Sequence, residues 1–226
     1  VVAKPAEQTP LVAFRMVQVL HEAGVPADAL MFVPGDGKIG AALTSHPKID
    51  GVCFAGSTET AWAINRTLAA KNGPIVPLIA ETGGMNAMIV DATALPEQVA
   101  DDVVSSAFRS AGQRCSALRL LFVQEDVADK MVEMIEGSAA ELTVGDPSLV
   151  ETDIGPVIDA DQLKMLNEHI MAMRKSQKVR FAGKAPEEGL YFAPQIVELS
   201  KAEALEREIF GPVLHVVRWK AGQLDK

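Results

Sequence analysis

Cysteine is scarce in this chain, with only Cys53 and Cys115 among 226 residues. This low content excludes the dense disulfide framework of a small secreted domain and favours a reducing compartment, so we expect a cytoplasmic protein. No run approaches the roughly 20 consecutive apolar residues of a membrane-spanning helix. The N-terminal residues show no signal-peptide pattern. A membrane span is therefore not expected.

Long basic runs are absent as well, and the formal net charge is −9 at pH 7. A broad nucleic-acid-binding face needs clustered lysine and arginine side chains, so we expect no nucleic-acid partner for this segment. No metal site is predicted. The composition, with 48% apolar and 23% charged residues, is ordinary for an α/β protein. The length suits one large or two small domains.

Short apolar strands alternate with amphipathic helices, which is typical of parallel βαβ units that bind ligands at the carboxyl ends of their strands. Gly83 and Gly84 follow a strand and permit a sharp change of direction, so we place a domain boundary between residues 1–83 and 84–226. Helices are predicted over 11–24, 38–46, 58–70, 95–112, 127–142 and 161–176, and strands over 1–4, 50–57, 74–81, 117–124, 178–183, 190–199 and 211–219. Residues 30–37 are predicted as a strand that leads into a glycine loop.

Cys115 lies in the segment RSAGQRCSA, whose small residues leave room around the sulfur. A nucleophilic thiolate needs such access, together with donors for the oxyanion that forms when it attacks a carbonyl group. Gly112 allows close backbone approach, and the amide of Cys115 can serve as one donor. A buried structural cysteine is an equal alternative from spacing alone. Cys53, between Val52 and Phe54, is predicted to be a core residue.

Glu81 ends the apolar strand IVPLIAE and precedes a flexible TGG turn. A partly desolvated carboxylate in that position can have a raised pKa and act as a base near neutral pH. The alternative is a capping or turn carboxylate without chemistry.

Three further segments place polar groups or glycines where a strand gives way to a helix: KPAE at 4–7, GDGKIG at 35–40 and FAGST at 54–58. GDGKIG fits the G-x-G-x-x-G pattern of dinucleotide-binding turns, but such matches are common by chance. The lysine and glutamate of KPAE can hold ribose hydroxyls, and Gly56 with Ser57 can approach a pyrophosphate. Taken singly, each is also an ordinary turn.

Taken together, these segments resemble the aldehyde dehydrogenase superfamily in order and approximate spacing, over essentially the whole chain. Glu81 and Cys115 are 34 positions apart. Within the superfamily, AETGGMNAMIVD and RSAGQRCSALRLLFVQ resemble 1-pyrroline-5-carboxylate dehydrogenases, most closely the dehydrogenase module of the bacterial bifunctional proline utilization A family. The five segments that carry the resemblance are KPAE, FAGST, ETGG, GQRCSA and EIFGPV at 208–213.

The resemblance implies part of a Rossmann-type NAD-binding domain at 1–83, followed by part of an α/β catalytic domain. It also implies NAD-dependent oxidation of glutamate γ-semialdehyde to glutamate in proline catabolism. Cys115 would attack the aldehyde to give a thiohemiacetal, and loss of hydride to the nicotinamide would leave a thioester. Glu81 would activate the water that hydrolyses this thioester. Ser116 matches the family serine that helps to hold the substrate carboxylate.

The family pattern also distributes the cofactor contacts. A carboxylate at position 7 favours NAD, because a 2′-phosphate would meet its negative charge at close range. Gly35 is then expected near the adenine side, and the match of its loop to the dinucleotide fingerprint would be partly coincidental. The implied contacts are Lys4 and Glu7 with the adenosine ribose, Gly56 and Ser57 with the pyrophosphate, and Glu208 and Phe210 with the nicotinamide end.

Some features depart from the family pattern. Ala55 replaces the common threonine of FTGST, and Ala61 replaces a frequent glycine. The family asparagine that donates to the oxyanion would lie before Val1, and the substrate-anchor loop and oligomerisation strand would follow Lys226. We therefore expect a segment of a longer, homo-oligomeric enzyme with a proline dehydrogenase module in the same chain. The segment alone is expected to have little or no activity.

Three alternatives remain open. The chain can be a non-catalytic nucleotide-binding or assembly module, although such a module has no reason to retain both Glu81 and Cys115. It can be an aldehyde dehydrogenase for a different aldehyde. It can also be a cysteine hydrolase whose base is one of His21, His46, His169 and His215.

Overall fold

The computed structural model describes residues 1–223. The chain forms two compact units. The first unit is Val1–Gly83, and the second begins at Gly84. Among the described residues, no helix has both the length and the apolar character needed to cross a bilayer. Within the same range, no group of three or more His, Cys, Asp or Glu side chains is placed to hold a metal ion.

The first unit alternates strands and helices from end to end. Its elements are β1 (Val2–Ala3), α1 (Pro10–Glu22), β2 (Met31–Phe32), α2 (Gly37–Ser45), β3 (Val52–Ala55), α3 (Thr58–Ala69) and β4 (Leu78–Glu81). The strands form two parallel pairs, β1 with β2 and β3 with β4. Because parallel neighbours end at the same sheet edge, residues that follow paired strands are brought together there.

N-cap side chains set the starts of two of these helices. The carboxylate of Asp36 accepts hydrogen bonds from the first amides of α2, and the Ser57 hydroxyl accepts one from the Thr60 amide in α3. Both are favoured N-cap residues. Thr9 occupies the same position before α1 but makes no side-chain cap bond. The start of α1 therefore relies on Pro10, whose fixed φ suits a first helical turn.

Cys53 is exposed, so its prediction as a core residue is wrong. It lies on β3, where Val52 and Phe54 are half-buried while Cys53 and Ala55 are exposed. Successive side chains of a strand point to opposite faces. The apolar neighbours of Cys53 in sequence therefore point away from it and do not enclose it.

The second unit contains a five-stranded sheet with the order β5-β6-β9-β8-β7. All neighbours are parallel except β7, which is antiparallel to β8. The central strands β6 and β9 are nearly continuous apolar runs, as expected for parallel strands covered on both faces. The elements are β5 (Ala87–Val90), α4 (Pro96–Phe108), β6 (Leu120–Gln124), α5 (Glu125–Ala140), α6 (Ala160–Ser176), β7 (Lys178–Ala182), β8 (Gln195–Leu199) and β9 (Val213–Trp219).

Two strands of this sheet differ from the sequence-based expectation. β5 was not predicted from the sequence. The strand predicted over 190–199 pairs only from Gln195 onward. Pro194, just before it, has no amide hydrogen to donate to a ladder, and the first bond is from the Gln195 amide to the Pro212 oxygen.

Two histidines, His169 on α6 and His215 on β9, meet inside the second unit. Their Nε2 atoms are 2.9 Å apart, and Nδ1 of His215 is 3.2 Å from the backbone oxygen of Arg119. Since a carbonyl oxygen only accepts, His215 carries its proton on Nδ1, and His169 donates from Nε2. Burial, aided by the charge of His169, lowers the pKa of His215 to about 3. Burial and the charge of Arg207 lower the pKa of His169 to about 4.

We expect the free energy of unfolding to fall as the pH drops from 6.5 towards 4. In that range the unfolded chain protonates both imidazoles, whose ordinary pKa is 6.5, while the folded pair stays neutral. Protonation therefore favours the unfolded state. Urea unfolding at a series of pH values measures this slope. A doubly substituted His169→Gln/His215→Gln variant should show a weaker slope, whereas His46→Gln, at an exposed histidine, should retain it. An unchanged slope in the double variant would contradict this explanation.

Candidate active site

A run of three left-handed residues joins α4 to the segment that carries Cys115. The φ angles are 56° at Ser110, 52° at Ala111 and 61° at Gly112. A left-handed backbone cannot continue a right-handed helix, so α4 ends at Phe108 and the predicted helix over 95–112 is wrong over its last four residues. Left-handed conformations cost non-glycine residues of order 1 kcal/mol each and are typical of functional sites. We call residues 109–118 the cysteine loop.

Gly112 brings the cysteine loop against a second segment, residues 206–212, which we call the glutamate segment. A Cβ at Gly112 would lie 2.1 Å from the backbone oxygen of Gly211, far inside contact distance. A Cβ at Gly211 would in turn meet the Leu166 side chain at 2.3 Å. The two segments therefore pack backbone to backbone, with no room for a side chain between them.

Asn86 anchors the backbone around Cys115. Its Nδ2 donates to the Cys115 oxygen at 2.6 Å and to the Ala117 oxygen at 3.0 Å, and its own backbone oxygen accepts from the amides of Arg119 and Leu120. The Cys115 side chain is a free thiol and is exposed. The loop thus combines a fixed backbone with an accessible sulfur, as a nucleophile requires. Asn86 is not among the residues predicted from the sequence.

Arg119 joins the cysteine loop to the glutamate segment. Its wholly buried side chain donates from Nη2 to the Arg114 oxygen at 3.0 Å and to Glu208 Oε1 at 3.1 Å. Nη1 donates to the Gly211 oxygen at 3.1 Å, and the guanidinium lies 5.3 Å from the centre of the Phe210 ring. Burial lowers the pKa of Arg119, while the hydrogen bond and charge of Glu208 act in the opposite direction.

Arg119 therefore gathers both predicted nicotinamide-end residues, Glu208 and Phe210, beside the cysteine loop. It too was not predicted as a site residue. The available signal was a charged residue inside the apolar run ALRLLFV, because arginine is almost never fully buried unless it is paired.

In the first unit, Lys4 and Gly35 meet where β1 and β2 end. Lys4 Nζ donates to the Gly35 oxygen at 3.0 Å, and Glu7 nearby in sequence is exposed. The carboxylate of Asp36 accepts from the first amides of α2, where a dinucleotide fingerprint would place a pyrophosphate. This supports the interpretation that the glycine pattern of this loop is coincidental.

Gly56 and Glu81 meet where β3 and β4 end. The Gly56 amide donates to the Glu81 backbone oxygen at 3.1 Å, and Ser57 follows at the start of α3. A helix N-terminus carries partial positive charge and binds anionic groups, so this edge suits a phosphate. The Glu81 side chain is exposed. Glu81 belongs to the first unit and Cys115 to the second, so their convergence on one reaction centre stays a prediction.

The histidines have other partners than a catalytic cysteine. His21 Nδ1 is 2.9 Å from the Val25 oxygen, and His46 Nδ1 accepts from the Lys48 amide. His169 and His215 bond to each other, and His215 also bonds to the backbone oxygen of Arg119. These contacts argue against a hydrolase in which a histidine activates the thiol.

Comparison with known proteins assigns the family. The sequence model that describes the aldehyde dehydrogenase family matches residues 1–223 of this chain. The chain is 50% identical over 238 aligned positions to a bifunctional protein PutA of Klebsiella aerogenes, covering 100% of this chain and 18% of that protein. A crystal structure of a bifunctional proline utilization A (PutA) protein superposes with a TM-score of 0.96 at 66% identity, over 99% of this chain and 23% of the other.

A crystal structure of 1-pyrroline-5-carboxylate dehydrogenase from Thermus with bound NAD superposes with a TM-score of 0.90. It is 35% identical, over 97% of this chain and 44% of the other. The chain belongs to the aldehyde dehydrogenase family, and the predicted α/β fold of that family is confirmed.

We expect Gly112→Ala to destabilise the second unit by roughly 3 kcal/mol or more, because it adds a methyl group at a closed contact and at a positive φ. Thermal unfolding monitored by circular dichroism measures the loss. Gly137→Ala is the matched control, since Gly137 lies within α5 with nothing near its absent Cβ. Alanine there should be neutral or stabilising by up to about 1 kcal/mol. Equal stability of the two variants would show that the loops do not touch as described.

Proposed function

We propose that this chain carries the nucleophile and cofactor-binding residues of a dehydrogenase that oxidises glutamate γ-semialdehyde to glutamate with NAD. The observation that carries the proposal is an exposed cysteine on a fixed loop, tied through Arg119 to Glu208 and Phe210. Similarity to a PutA protein and to an NAD-bound 1-pyrroline-5-carboxylate dehydrogenase supports the substrate and cofactor. It also supports a role in proline catabolism and a proline dehydrogenase module in the same full-length chain.

The residues present fit NAD by their chemistry. Lys4 Nζ uses two of its three protons on backbone oxygens, which leaves one for a ribose hydroxyl beside the Glu7 carboxylate. The start of α3 at Ser57 offers amide hydrogens to a pyrophosphate. Glu208 and Phe210 offer a carboxylate and an aromatic ring at the nicotinamide end. When bound, NAD would supply the acceptor for the hydride.

Cys115 would act as the nucleophile. Its sulfur forms a bond to the aldehyde carbon, and after the carbon has lost its hydride the same sulfur holds the acyl group as a thioester. The exposed position of the side chain allows the aldehyde to approach. The Cys115 amide would donate to the oxyanion, and the Ser116 hydroxyl would donate to the substrate carboxylate.

Glu81 would complete the cycle. Its carboxylate takes a proton from the water that attacks the thioester carbon, so the acid is released and Cys115 returns to its thiolate form. The exposed side chain at the end of β4 leaves room for water. This role requires Glu81 to approach Cys115 in the complete active site.

Two other functions are separable by experiment. A non-catalytic nucleotide-binding or assembly module would bind NAD without forming NADH from any aldehyde. A dehydrogenase for a different aldehyde would prefer a substrate without the glutamate carboxylate, and Ser116→Ala would then leave its KM unchanged. The expectation that the 226-residue chain alone turns over little or nothing stays a prediction, tested by the same NADH assay.

We expect Cys115→Ala to lower NADH formation by at least about 10³-fold in the full-length protein that contains these residues, because the covalent step is lost. Cys53→Ala is the matched control and should retain activity within about twofold. NADH absorbance with glutamate γ-semialdehyde measures both. Activity that survives Cys115→Ala would overturn the proposed nucleophile.

Glu81→Gln should separate hydride loss from hydrolysis. We expect a burst of about one NADH per site, followed by turnover slowed about 10²- to 10⁴-fold, because the thioester forms but its hydrolysis lacks a base. Stopped-flow absorbance measures the burst. Slow turnover without a burst would place Glu81 at an earlier step.

Alkylation tests the reactive cysteine independently of turnover. Cys53 and Cys115 are both exposed, so a difference in their rates with iodoacetamide reflects chemical environment and not access. We expect faster modification at Cys115, measured by peptide mass spectrometry over time. Equal rates at the two thiols would favour the non-catalytic module.

A further inference from the structure

Arg119 is a buried cation whose contacts divide between the two loops of the candidate site. On one side it bonds to the Arg114 oxygen, immediately before Cys115; on the other it bonds to Glu208 and to the Gly211 oxygen. Its side chain is 0% exposed and that of Glu208 is 16% exposed. Moving either loop would therefore break a charged hydrogen bond inside the protein.

The bond pattern leaves half of the Glu208 carboxylate available. Nε and Nη2 of Arg119 both donate to Oε1, at 3.4 and 3.1 Å. Oε2 takes no part in these bonds and is the oxygen left to accept from a ligand hydroxyl. A carboxylate held by a buried cation has less freedom than a mobile one, which lowers the entropy cost of binding.

The backbone of Arg119 is fixed as well. Its amide donates to the Asn86 oxygen, and its oxygen accepts from both the amide and Nδ1 of His215. The planar guanidinium then reaches three acceptors at once. The three donors of a lysine ammonium share one nitrogen, so lysine cannot span the same distance.

We propose that Arg119 is a positioning residue that fixes Glu208 and the cysteine loop relative to each other, so that the carbon bound to Cys115 meets the nicotinamide in one geometry. The inference rests on the proposed function, because it gives Glu208 a ligand to hold. Because its side chain is wholly buried, we expect Arg119 itself to touch neither substrate nor cofactor. Its effect passes through the Glu208 carboxylate and the Arg114 backbone.

A double-mutant cycle tests this coupling in the full-length protein, with Arg119→Gln, Glu208→Gln and both together. We expect each single substitution to lower kcat about 10- to 100-fold while the KM for the aldehyde changes less than about threefold. The double variant should be no more than about threefold slower than the slower single variant. Both substitutions disrupt the same hydrogen-bonded pair of Arg119 and Glu208, so the second has little left to remove. Losses that multiply would show independent roles and overturn the inference.

A kinetic isotope effect supplies a readout that a loss of stability alone would not move. With aldehyde deuterated at its carbonyl carbon, the isotope effect on kcat should be larger in Arg119→Lys than in the wild type, because a misplaced nicotinamide slows hydride loss in particular. Arg180→Lys is the matched control, since Arg180 in the same unit also bonds to two glutamates, Glu136 and Glu198. It should keep the wild-type kcat and isotope effect.

The variants differ in how strongly they disturb the interior. Should Arg119→Gln fail to fold, the cycle is run with Arg119→Lys, which keeps a positive charge beside Glu208. An unchanged isotope effect in both Arg119→Lys and Glu208→Gln would overturn the inference while leaving the proposed function intact. A wild-type protein that binds NAD but forms no NADH would overturn the proposed function itself, and the inference with it.

Discussion

Where Gly112 meets Gly211, two stretches of backbone approach so closely that Gly112 cannot carry a Cβ. The candidate site of the second unit depends on this contact, because it places the cysteine loop beside the glutamate segment. The left-handed run before Gly112 turns the chain into that contact, and the Arg119 guanidinium bridges the two segments. Since protein interiors are close-packed, a small enlargement at Gly112 would be transmitted to both functional segments together.

The chemistry divides between the two units in a simple way. The first unit presents Glu81, Gly56 and Ser57 where β3 and β4 end, at the edge where parallel α/β sheets bind ligands. The second unit contributes a sulfur and the residues proposed for the nicotinamide end. The second unit has a large apolar core, and the buried apolar side chains of the first unit are Val17, Ala61 and Leu68.

The alternation of strands and helices and the accessible position of Cys115 could be predicted from the sequence, because periodicity and composition are local properties. The exposure of Cys53 could not, because which face of β3 is covered depends on neighbours distant in the chain. The end of α4 was missed for a related reason. Ser110 and Ala111 have no sequence feature that requires a left-handed backbone, and the packing around Gly112 supplies the requirement.

Asn86 and Arg119 show the same limit for the candidate site. Asn86 lies 29 residues from Cys115, and Arg119 lies 89 residues from Glu208. A single asparagine after a glycine turn and a single arginine in an apolar run each have an ordinary explanation when only their neighbours in sequence are known. Their importance appears once the sheet aligns β5, β6 and β9 and brings their ends together.

The arginine at position 119 also keeps its positive charge when the pH changes. Guanidinium groups stay protonated under any condition in which proteins are folded, whereas a buried lysine readily becomes neutral. The carboxylate of Glu208 therefore keeps its cationic neighbour in acid and alkaline solution alike. A pH dependence measured for this protein therefore cannot originate in a change of charge at position 119.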